Sequence, residues 1–358
     1  MERFDVAVIG GGPAGSVCAA FCAASGLRVV LIEREKFPRE KVCGDCLNPE
    51  CWPILRRLGI DQLVRASPHG ILDWVEFISV GDRHVRLELP RGEEAEIAVK
   101  RSAFDSILLN RTAKLGADVR EASTLTSIGK SDGTWKITTA ETTAALRARL
   151  LVAADGRNST VARLLGLLPR FAKERVALQA HIPLPSGFGN RVVLQLLAGG
   201  YSGQAPVNDS ELNLCLVGKP KSIRALQIWA RKRFELSAGQ QWRTITPLRR
   251  GTVPAAHGNL LFAGDAARVV EPFTGEGIFY ALRSGELAAA AATAIIRENS
   301  LDAASKYAAQ HAAIYRGRLW INALARTAVV SPKMGSILFE LARLQPTLLR
   351  FLTRKVVR

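Results

Sequence analysis

A glycine-rich turn between an apolar strand and an apolar helix constrains the fold of this chain more than any other feature. The turn carries Gly10, Gly12 and Gly15 in G-x-G-x-x-G spacing. It follows an apolar run ending at Ile9, which is typical of a parallel strand buried on both faces. Glycines at this spacing permit a tight turn, let a pyrophosphate approach the backbone and let the helix pack closely on the strand. The segment therefore predicts a dinucleotide-binding βαβ unit.

The residues after the turn favour the same interpretation. Pro13 and Ala14 open a predicted helix to Ser25, and proline suits a first helical turn because its missing N–H is not needed there. The free N–H groups and the positive dipole end of this helix would point at phosphates. A second strand ends at Glu33, whose carboxylate is placed to accept hydrogen bonds from a ribose diol. A carboxylate there disfavours a 2′-phosphate, so the pattern favours FAD or NAD over NADP.

Composition limits the class of protein. The chain has 358 residues, of which 48% are hydrophobic and 23% charged, as in a globular protein with one large or two ordinary domains. Six scattered cysteines without an export signal at the start favour a reducing, cytoplasmic location. Five isolated histidines suggest no catalytic histidine. We expect no metal site.

The charge distribution indicates an acidic partner. The formal charge is +17, yet no helix-turn-helix, zinc-finger or RNP-like pattern occurs, so we expect no nucleic-acid binding. Residues 341–358 combine five basic side chains with leucine and phenylalanine and contain no acid. This is the composition of a basic amphipathic helix on an anionic lipid surface, which would place the protein at the inner face of a membrane. The alternative is a terminal helix packed on the domain with its basic face in solvent.

A second apolar strand also ends in an acid and a glycine. Asp155 and Gly156 follow this strand, and a helix is expected to begin near Ser159. Taken alone, an Asp-Gly pair at a strand end is only a turn.

A third segment completes a pattern that NAD does not need. The apolar run 259–264 leads into Asp265, then a glycine-rich stretch at 275–277, and then a long alanine-rich helix from about Ile278. An acid at a strand end followed by a helix start can bind the ribityl hydroxyls of a flavin. N–H donors and a helix dipole at 275–277 would face the N1–C2=O edge of the isoalloxazine ring. The three segments together predict FAD.

These motifs resemble a known family. The glycine motif with Glu33, the Asp-Gly motif, and GDAARVVEPFTGEGIFYALRSG at 264–285 are similar to the FAD-dependent oxidoreductases of the geranylgeranyl reductase family. FPREKVCGDCLNPE at 37–50 resembles that family's K-x-C-G-x-x-L-x-P loop, and KRSAFDSILLNRTAKLGADV its R-x-x-F-D-x-x-L helix. The family belongs to the superfamily with the p-hydroxybenzoate hydroxylase fold.

The resemblance implies an α/β fold in three parts. A Rossmann-like FAD-binding domain would comprise residues 1–70, 96–175 and 251–300. An antiparallel-sheet substrate domain inserted into it would comprise residues 71–95 and 176–250. A C-terminal helical region would comprise residues 301–358.

The resemblance also implies roles for individual residues. Glu33 would bind the adenosine ribose, Arg101 and Asp265 the phosphates and ribityl chain, and 275–277 would lie beside the flavin ring. The predicted cofactor-binding residues are Gly10, Gly12, Pro13, Ala14, Gly15, Glu33, Arg34, Lys41, Cys43, Gly44, Arg101, Asp155, Gly156, Gly264, Asp265, Pro272, Gly275, Glu276 and Gly277.

The family covers more than one chemistry, and the alternatives stay open at this point. Its reductases pass a hydride from the flavin to a carbon–carbon double bond, whereas the related hydroxylases attack an electron-rich ring through a flavin hydroperoxide. NADPH or NADH would be the electron donor, and the expected substrate is a hydrophobic isoprenoid, quinone or polyketide-like molecule. The other interpretations are an NAD(P)H-dependent flavin monooxygenase and a non-catalytic membrane-associated flavoprotein.

Two short segments bear on the substrate and on catalysis. GGYSGQAPV at 199–207 lies where the reductases carry a tyrosine–tryptophan–phenylalanine–proline pattern, and only Tyr201 and Pro206 match it, which suggests a differently shaped pocket. The W-x-W-x-I-P signature of flavin halogenases is absent. Cys43 and Cys46 form a C-x-x-C that is either a redox pair or a thiol shaping the active site. The candidate catalytic residues are Cys43 and Tyr201.

Overall fold

A computed structural model describes residues 2–169, 175–320 and 327. The predicted basic helix at 341–358 lies outside the described residues. The strands are β1 (Arg3–Ile9), β2 (Val29–Ile32), β3 (Cys46–Leu47), β4 (Gly70–Leu72), β5 (Trp74–Ile78), β6 (His84–Glu88), β7 (Glu96–Ala98), β8 (Asp118–Arg120), β9 (Leu125–Ser131), β10 (Thr134–Thr139), β11 (Thr142–Ala153), β12 (Val176–Pro183), β13 (Arg191–Leu197), β14 (Gly200–Pro206), β15 (Glu211–Gly218), β16 (Arg243–Ile245) and β17 (Leu260–Phe262). The α-helices are α1 (Pro13–Ala24), α2 (Trp52–Leu58), α3 (Asp61–Ala66), α4 (Arg101–Lys114), α5 (Thr160–Leu164), α6 (Ile223–Arg233), α7 (Gly277–Arg297) and α8 (Ala303–Ala313).

The first sheet carries the glycine turn. Its strand order is β8-β2-β1-β11-β10-β9, with β17 also paired to β11. Strands β8, β2, β1, β11 and β17 run parallel, and β9 and β10 form an antiparallel hairpin that turns around 131–133. Alternate residues of β1 enter two different cores, Val8 against α1 and α7 and Ala7 on the other face. Burial on both faces explains why this strand is apolar without alternation.

The second sheet shares no strand with the first. Its order is β16-β12-β15-β14-β13-β5-β6, and its neighbours are antiparallel except β5 and β13, which pair in parallel with Val75 opposite Val192. The sequence predicts an antiparallel sheet here, and the exception has a topological cause. Helix α4 and several strands lie between β5 and β13 in the chain, so no hairpin joins them and a parallel pairing is allowed.

Helices α1 and α7 pack closely against each other in the core that also contains Val8. Helix α7 crosses α1 so closely that a Cβ on Gly285 would lie 2.3 Å from the carbonyl oxygen of Ala14. Helix α8 adds a further tie, because the Tyr307 hydroxyl donates to the Phe262 carbonyl of β17 at 2.6 Å. Cys18 and Cys22 of α1 are buried in this core. A small third sheet has the order β3-β7-β4.

Candidate functional site

The glycine turn has the geometry that the sequence predicts. Gly10 has φ +104°, and a Cβ there would lie 2.5 Å from the carbonyl oxygen of Ala154 in the strand end beside it. A Cβ on Gly15 would lie 1.8 Å from the Gly10 carbonyl oxygen. Gly12 is the N-cap of α1 and offers no side chain to the N–H groups of the first turn. These N–H groups are therefore open to an anionic ligand.

Glu33 lies against this turn, at the end of β2. Its Oε2 accepts a hydrogen bond from the Gly11 N–H at 2.6 Å, and its Oε1 accepts one from the Glu35 N–H at 2.9 Å. The neighbouring Arg34 faces outward, with its side chain 72% exposed and 3.2 Å from the Glu35 carboxylate. The structure thus brings Glu33 to the turn and leaves the Arg34 side chain at the surface.

Two arginines share one buried carboxylate next to the turn. Arg101 donates to both oxygens of Asp105 at 2.8 and 2.7 Å, and Arg39 lies 3.2 Å from the same carboxylate. An Arg39 Nη atom is 3.7 Å from where a Cβ on Gly12 would lie. Arg39 is a site residue that the sequence analysis missed, although it stands inside the quoted 37–50 segment.

Lys41 extends this basic cluster to the second strand end. Its Nζ lies 3.4 Å from where a Cβ on Gly156 would be, and Gly156 has φ +81°. Burial, followed by the charges of Arg101 and Arg39, lowers the pKa of Lys41 from 10.5 to about 8. An amine destabilised in this way would gain from a nearby phosphate, which restores its usual pKa.

Asp155 occupies the end of β11, opposite the glycine turn. Its Oδ2 accepts the N–H groups of Thr160 and Val161 at 2.6 and 3.1 Å, and so it caps α5. Among the residues that the structure describes, its Oδ1 is buried without a hydrogen-bond partner. Burial raises the pKa of this carboxyl group, against the hydrogen bonds from Ser159 and the helix N–H groups. An unpaired buried oxygen calls for a polar partner, which a bound ligand can supply.

Asp265 lies just beyond β17 and is held from two sides. Arg157 donates to its Oδ2 at 3.1 Å, and Arg250 donates to the backbone carbonyls of Asp265 and Ala266. Gly264, with φ +59°, donates its N–H to the Ser284 hydroxyl of α7 at 2.8 Å. The acid is therefore fixed next to the start of α7.

The loop before α7 forms an open, glycine-lined ledge. Pro272 is exposed, Gly275 has φ +70°, and a Cβ on Gly275 or Gly277 would meet no atom within 4 Å. The carboxylate of Glu276 turns inward and accepts hydrogen bonds from Tyr280 at 2.7 Å and from Arg318 at 3.0 Å. This leaves the backbone of 275–277 as the part of the loop that faces open space.

Cys43 belongs to a loop held against strand β15 of the second sheet. Its carbonyl accepts hydrogen bonds from Asn213 at 2.9 Å and from the Cys215 thiol at 3.2 Å, both on β15. Burial raises the pKa of the Cys43 thiol, and the adjacent Arg101 opposes this shift. Gly44 is exposed, with no atom within 4 Å of where a Cβ would lie. Because burial raises its pKa, the Cys43 thiol is protonated at neutral pH.

A buried acid–histidine pair lies beneath this loop. Asp45 has φ +62°, and its Oδ2 is 2.9 Å from Nε2 of His181 and 3.4 Å from Nε2 of Gln179. Burial raises the pKa of Asp45, while the hydrogen bond from His181 lowers it. The sequence analysis assigned no role to His181, because its partner is 136 positions away in the chain.

Tyr201 faces the α7 loop from the middle of the second sheet. It is 3% exposed, and its ring meets Phe273 edge-to-face with centroids 5.1 Å apart. Val217 and Leu248 pack in the same apolar cluster. Burial, and next the charge of Glu271, raises the pKa of the Tyr201 phenol well above 10. The contact between Tyr201 and the loop is therefore apolar, and the Tyr201 hydroxyl stays neutral.

A buried ion pair ties the same loop to the start of β12. Arg175 donates from Nη1 to Glu271 Oε1 at 3.0 Å and from Nη2 to Oε2 at 2.6 Å. The two side chains are 4% and 5% exposed. This pair holds the loop that leads to Gly275 against the second sheet.

Comparison with known proteins decides the family. The family described as "FAD binding domain" matches residues 3–182, which is half of the chain. The chain belongs to this FAD-binding family. Menaquinone reductase from Mycobacterium tuberculosis (strain H37Rv) is 30% identical over 336 residues, covering 80% of this chain and 76% of that protein.

Other relatives agree with membership of the FAD-binding family. Digeranylgeranylglycerophospholipid reductase from Thermoplasma volcanium is 28% identical, covering 84% of this chain and 80% of that protein. Conditioned medium factor receptor 1 from Dictyostelium discoideum is 30% identical over 83% of this chain, and the match spans 65% of that protein's length. The predicted resemblance to geranylgeranyl-type reductases and the prediction of FAD are confirmed. Membership makes this chain a flavoprotein of the oxidoreductase class.

Solved structures confirm the fold class. The flavin-dependent brominase Bmp2 superposes with a TM-score of 0.82 over 99% of this chain and 93% of its own, at 21% identity. PqsL from Pseudomonas aeruginosa, in complex with 2-aminobenzoylacetate, superposes with a TM-score of 0.80 over 95% of this chain and all of its own, at 18% identity. At these identities the likeness concerns the fold alone. Among the described residues, no helix of this FAD-family fold is long and apolar enough to cross a membrane.

Proposed function

We propose that FAD lies extended from the glycine turn to the α7 loop. The adenosine ribose would contact Glu33, the pyrophosphate would contact the start of α1 with Arg39 and Lys41, and the flavin ring would lie along 275–277. Three observations support this fit: the glycines that no side chain could replace, the buried unpaired Oδ1 of Asp155, and the open backbone of the α7 loop. Arg101, Gly264 and Asp265 complete the path between the two ends.

The reaction we propose is reduction of a double bond or a quinone ring in a hydrophobic substrate. The observation that carries this proposal is the apolar cluster around Tyr201 and Phe273, which faces the α7 loop. A substrate held there would be shielded from water and would lie next to 275–277. The names of relatives at 28–30% identity, menaquinone reductase and digeranylgeranylglycerophospholipid reductase, point to the same substrate classes.

Bound FAD would supply the hydride in this chemistry. Reduction of a double bond also needs a proton, and two side chains of this chain hold one. The Cys43 thiol and the Tyr201 hydroxyl both have pKa values raised by burial, so each keeps its proton at neutral pH. We assign the proton-donor role to Cys43, because it is less buried than Tyr201. Tyr201 would then form a wall of the substrate chamber.

An anaerobic turnover assay tests this function. The purified holoenzyme, reduced by NADPH or NADH, should convert menaquinone or a polyprenyl substrate to the reduced product without oxygen. Cys43→Ser should slow product formation while flavin reduction by the donor is unchanged. Oxygen uptake that depends on substrate, with an oxygenated product, would instead identify a monooxygenase. Absence of turnover with every quinone and prenyl compound would leave the non-catalytic flavoprotein as the better account.

Contact with an anionic membrane surface is a separate proposal. It rests on the five basic residues among leucines at 341–358 and on the hydrophobic character expected of the substrate. Binding to anionic liposomes should fall with added salt and should disappear in a variant truncated after residue 340. Equal binding by the truncated variant would contradict the proposal.

A further inference from the structure

A pocket of about 270 Å³ lies on the side of the second sheet that faces away from the α7 loop. Its floor includes Glu76 of β5 and Val193 of β13. Successive strand residues point to opposite faces, and the adjacent Val75 and Val192 pack in the core on the other face. The sheet therefore separates this pocket from the Tyr201 cluster. The pocket is no part of the flavin site.

One buried carboxylate stands among several cationic side chains in this pocket. Glu76 is 2% exposed, and its Oε1 accepts hydrogen bonds from Arg86 at 2.8 Å and from His84 at 3.0 Å. Burial raises the pKa of Glu76, but the hydrogen bonds from His84 and Arg86, with the charges of Arg86 and Arg191, outweigh burial and bring the pKa below its usual value. Asp82, which approaches His84 at 3.5 Å, is 85% exposed and lies outside the lining. Arg86 and His84 therefore already satisfy the acid.

Two further arginines line the pocket. Arg191 has its Nε 3.5 Å from Glu76 Oε2, and in the described chain this buried Nε has no hydrogen-bond partner. Arg233, at the end of α6, also lines the pocket. A buried guanidinium nitrogen without an acceptor is costly, and an anionic acceptor would remove that cost.

Two aromatic side chains, Phe188 and Phe234, belong to the rest of the lining, together with aliphatic residues such as Ile78 and Val193 and a few uncharged polar ones. The Arg191 guanidinium lies over the Phe188 ring at 5.0 Å, and that of Arg233 lies over the Phe234 ring at 5.6 Å. This combination suits a molecule with one carboxylate on a flat apolar body, because arginine binds carboxylates through paired N–H groups. The volume is near the lower end for small-molecule sites, which is roughly 300 Å³.

We propose that this pocket is a binding site for a small aromatic or short aliphatic carboxylate, separate from the site of the flavin. The carboxylate accepts from Arg191 and Arg233, and the apolar body lies between Phe188 and Phe234. The inference does not depend on the proposed reaction, since none of these side chains belongs to the flavin face of the sheet.

Calorimetric titration of the holoprotein with benzoate tests this site. Benzoate should bind saturably at one site per chain, and benzamide, its neutral counterpart, should bind at least about tenfold more weakly. Inorganic phosphate, which has the charge without the ring, should also bind more weakly. If benzamide bound as tightly as benzoate, the proposed recognition of a carboxylate would be wrong. If inorganic phosphate bound as tightly as benzoate, the proposed contact with an apolar body would be wrong.

Matched arginine variants place the binding. Arg233→Gln and Arg191→Gln should each weaken benzoate binding about tenfold or more. Arg224→Gln is the control, because Arg224 is exposed on the same helix and does not line the pocket. Arg233 lies at the end of α6, so its variant tests the site even if Arg191→Gln fails to fold. Absence of saturable binding, or binding unchanged in Arg233→Gln, would refute the proposal.

Discussion

Breaking the buried Arg175–Glu271 pair should be among the most damaging single changes outside the core. Arg175→Met leaves the Glu271 carboxylate buried and without the two charged donors that now lie at 3.0 and 2.6 Å. Removing one partner of a buried pair costs about 3–5 kcal/mol, whereas replacing both partners by apolar residues is often nearly neutral. The pair is 4% and 5% exposed, which places it in this buried class.

A double-mutant cycle measures this effect. Urea unfolding of Arg175→Met, Glu271→Leu and the double variant should give single losses of about 3–5 kcal/mol and a double loss well below their sum. Lys306→Met is the matched control, because its pair with Asp302 at 2.7 Å is 67% and 56% exposed, and its stability should change far less. A loss in Arg175→Met no larger than in this control, or additive losses in the cycle, would refute the reasoning. The single variants should also bind FAD more weakly, because they free the loop that leads to Gly275.

Three further outcomes follow from the site and its surroundings. Gly15→Ala should lower the free energy of unfolding by about 2 kcal/mol or more and abolish FAD binding, because the new Cβ would lie 1.8 Å from the Gly10 carbonyl oxygen. Gly129→Ala is the control, because its new Cβ would have no atom within 4 Å, and it should change neither quantity in unfolding and flavin-binding assays. Lys41, with a pKa lowered to about 8, should reach full reactivity towards an amine reagent near pH 9, a lower pH than an exposed lysine needs, and bound FAD should suppress that reaction. Site-resolved mass spectrometry that finds the same dependence of labelling on pH at Lys41 as at exposed lysines would contradict this. Burial raises the pKa of Glu96 from 4.5 to about 7, so the folded state binds more protons than the unfolded state between these values and stability falls as the pH rises through them. The free energy of unfolding of Glu96→Gln should therefore exceed that of the parent by about 2–3 kcal/mol at pH 8 and equal it near pH 4. Equal urea midpoints of the two proteins at pH 8 would count against this assignment.

The parts of the fold that the sequence predicts well are those with local causes. The turn at Gly10, the helix that follows it and the acid at Glu33 are specified within about one βαβ unit, where burial on both faces and turn geometry leave few alternatives. The helix from Arg101 and the hairpin at 131–133 have equally local signals, an apolar periodicity and an Asp-Gly turn.

The parts that the sequence does not predict depend on contacts between distant segments. Asp45 meets His181, and Arg175 meets Glu271, across 136 and 96 positions, and no periodicity or spacing connects either pair. The parallel pairing of β5 with β13 has the same origin, since the two strands lie far apart in the chain. A single sequence contains the residues of such contacts but no signal of which ones pair.

The close crossing of α1 and α7 has a consequence for how this protein is made. Strand β17 and helix α7, which complete the core around α1, begin only at Leu260 and Gly277. A ribosome therefore releases the glycine turn and the entire second sheet before the helix whose Gly285 packs on Ala14 has been synthesised. Until then the apolar face of α1 that packs on α7 is uncovered. The glycine turn and α1 are therefore synthesised first, but their packing is completed last. We expect a nascent chain arrested before residue 260 to need a chaperone over that face, although its own strands β1 and β2 are already complete.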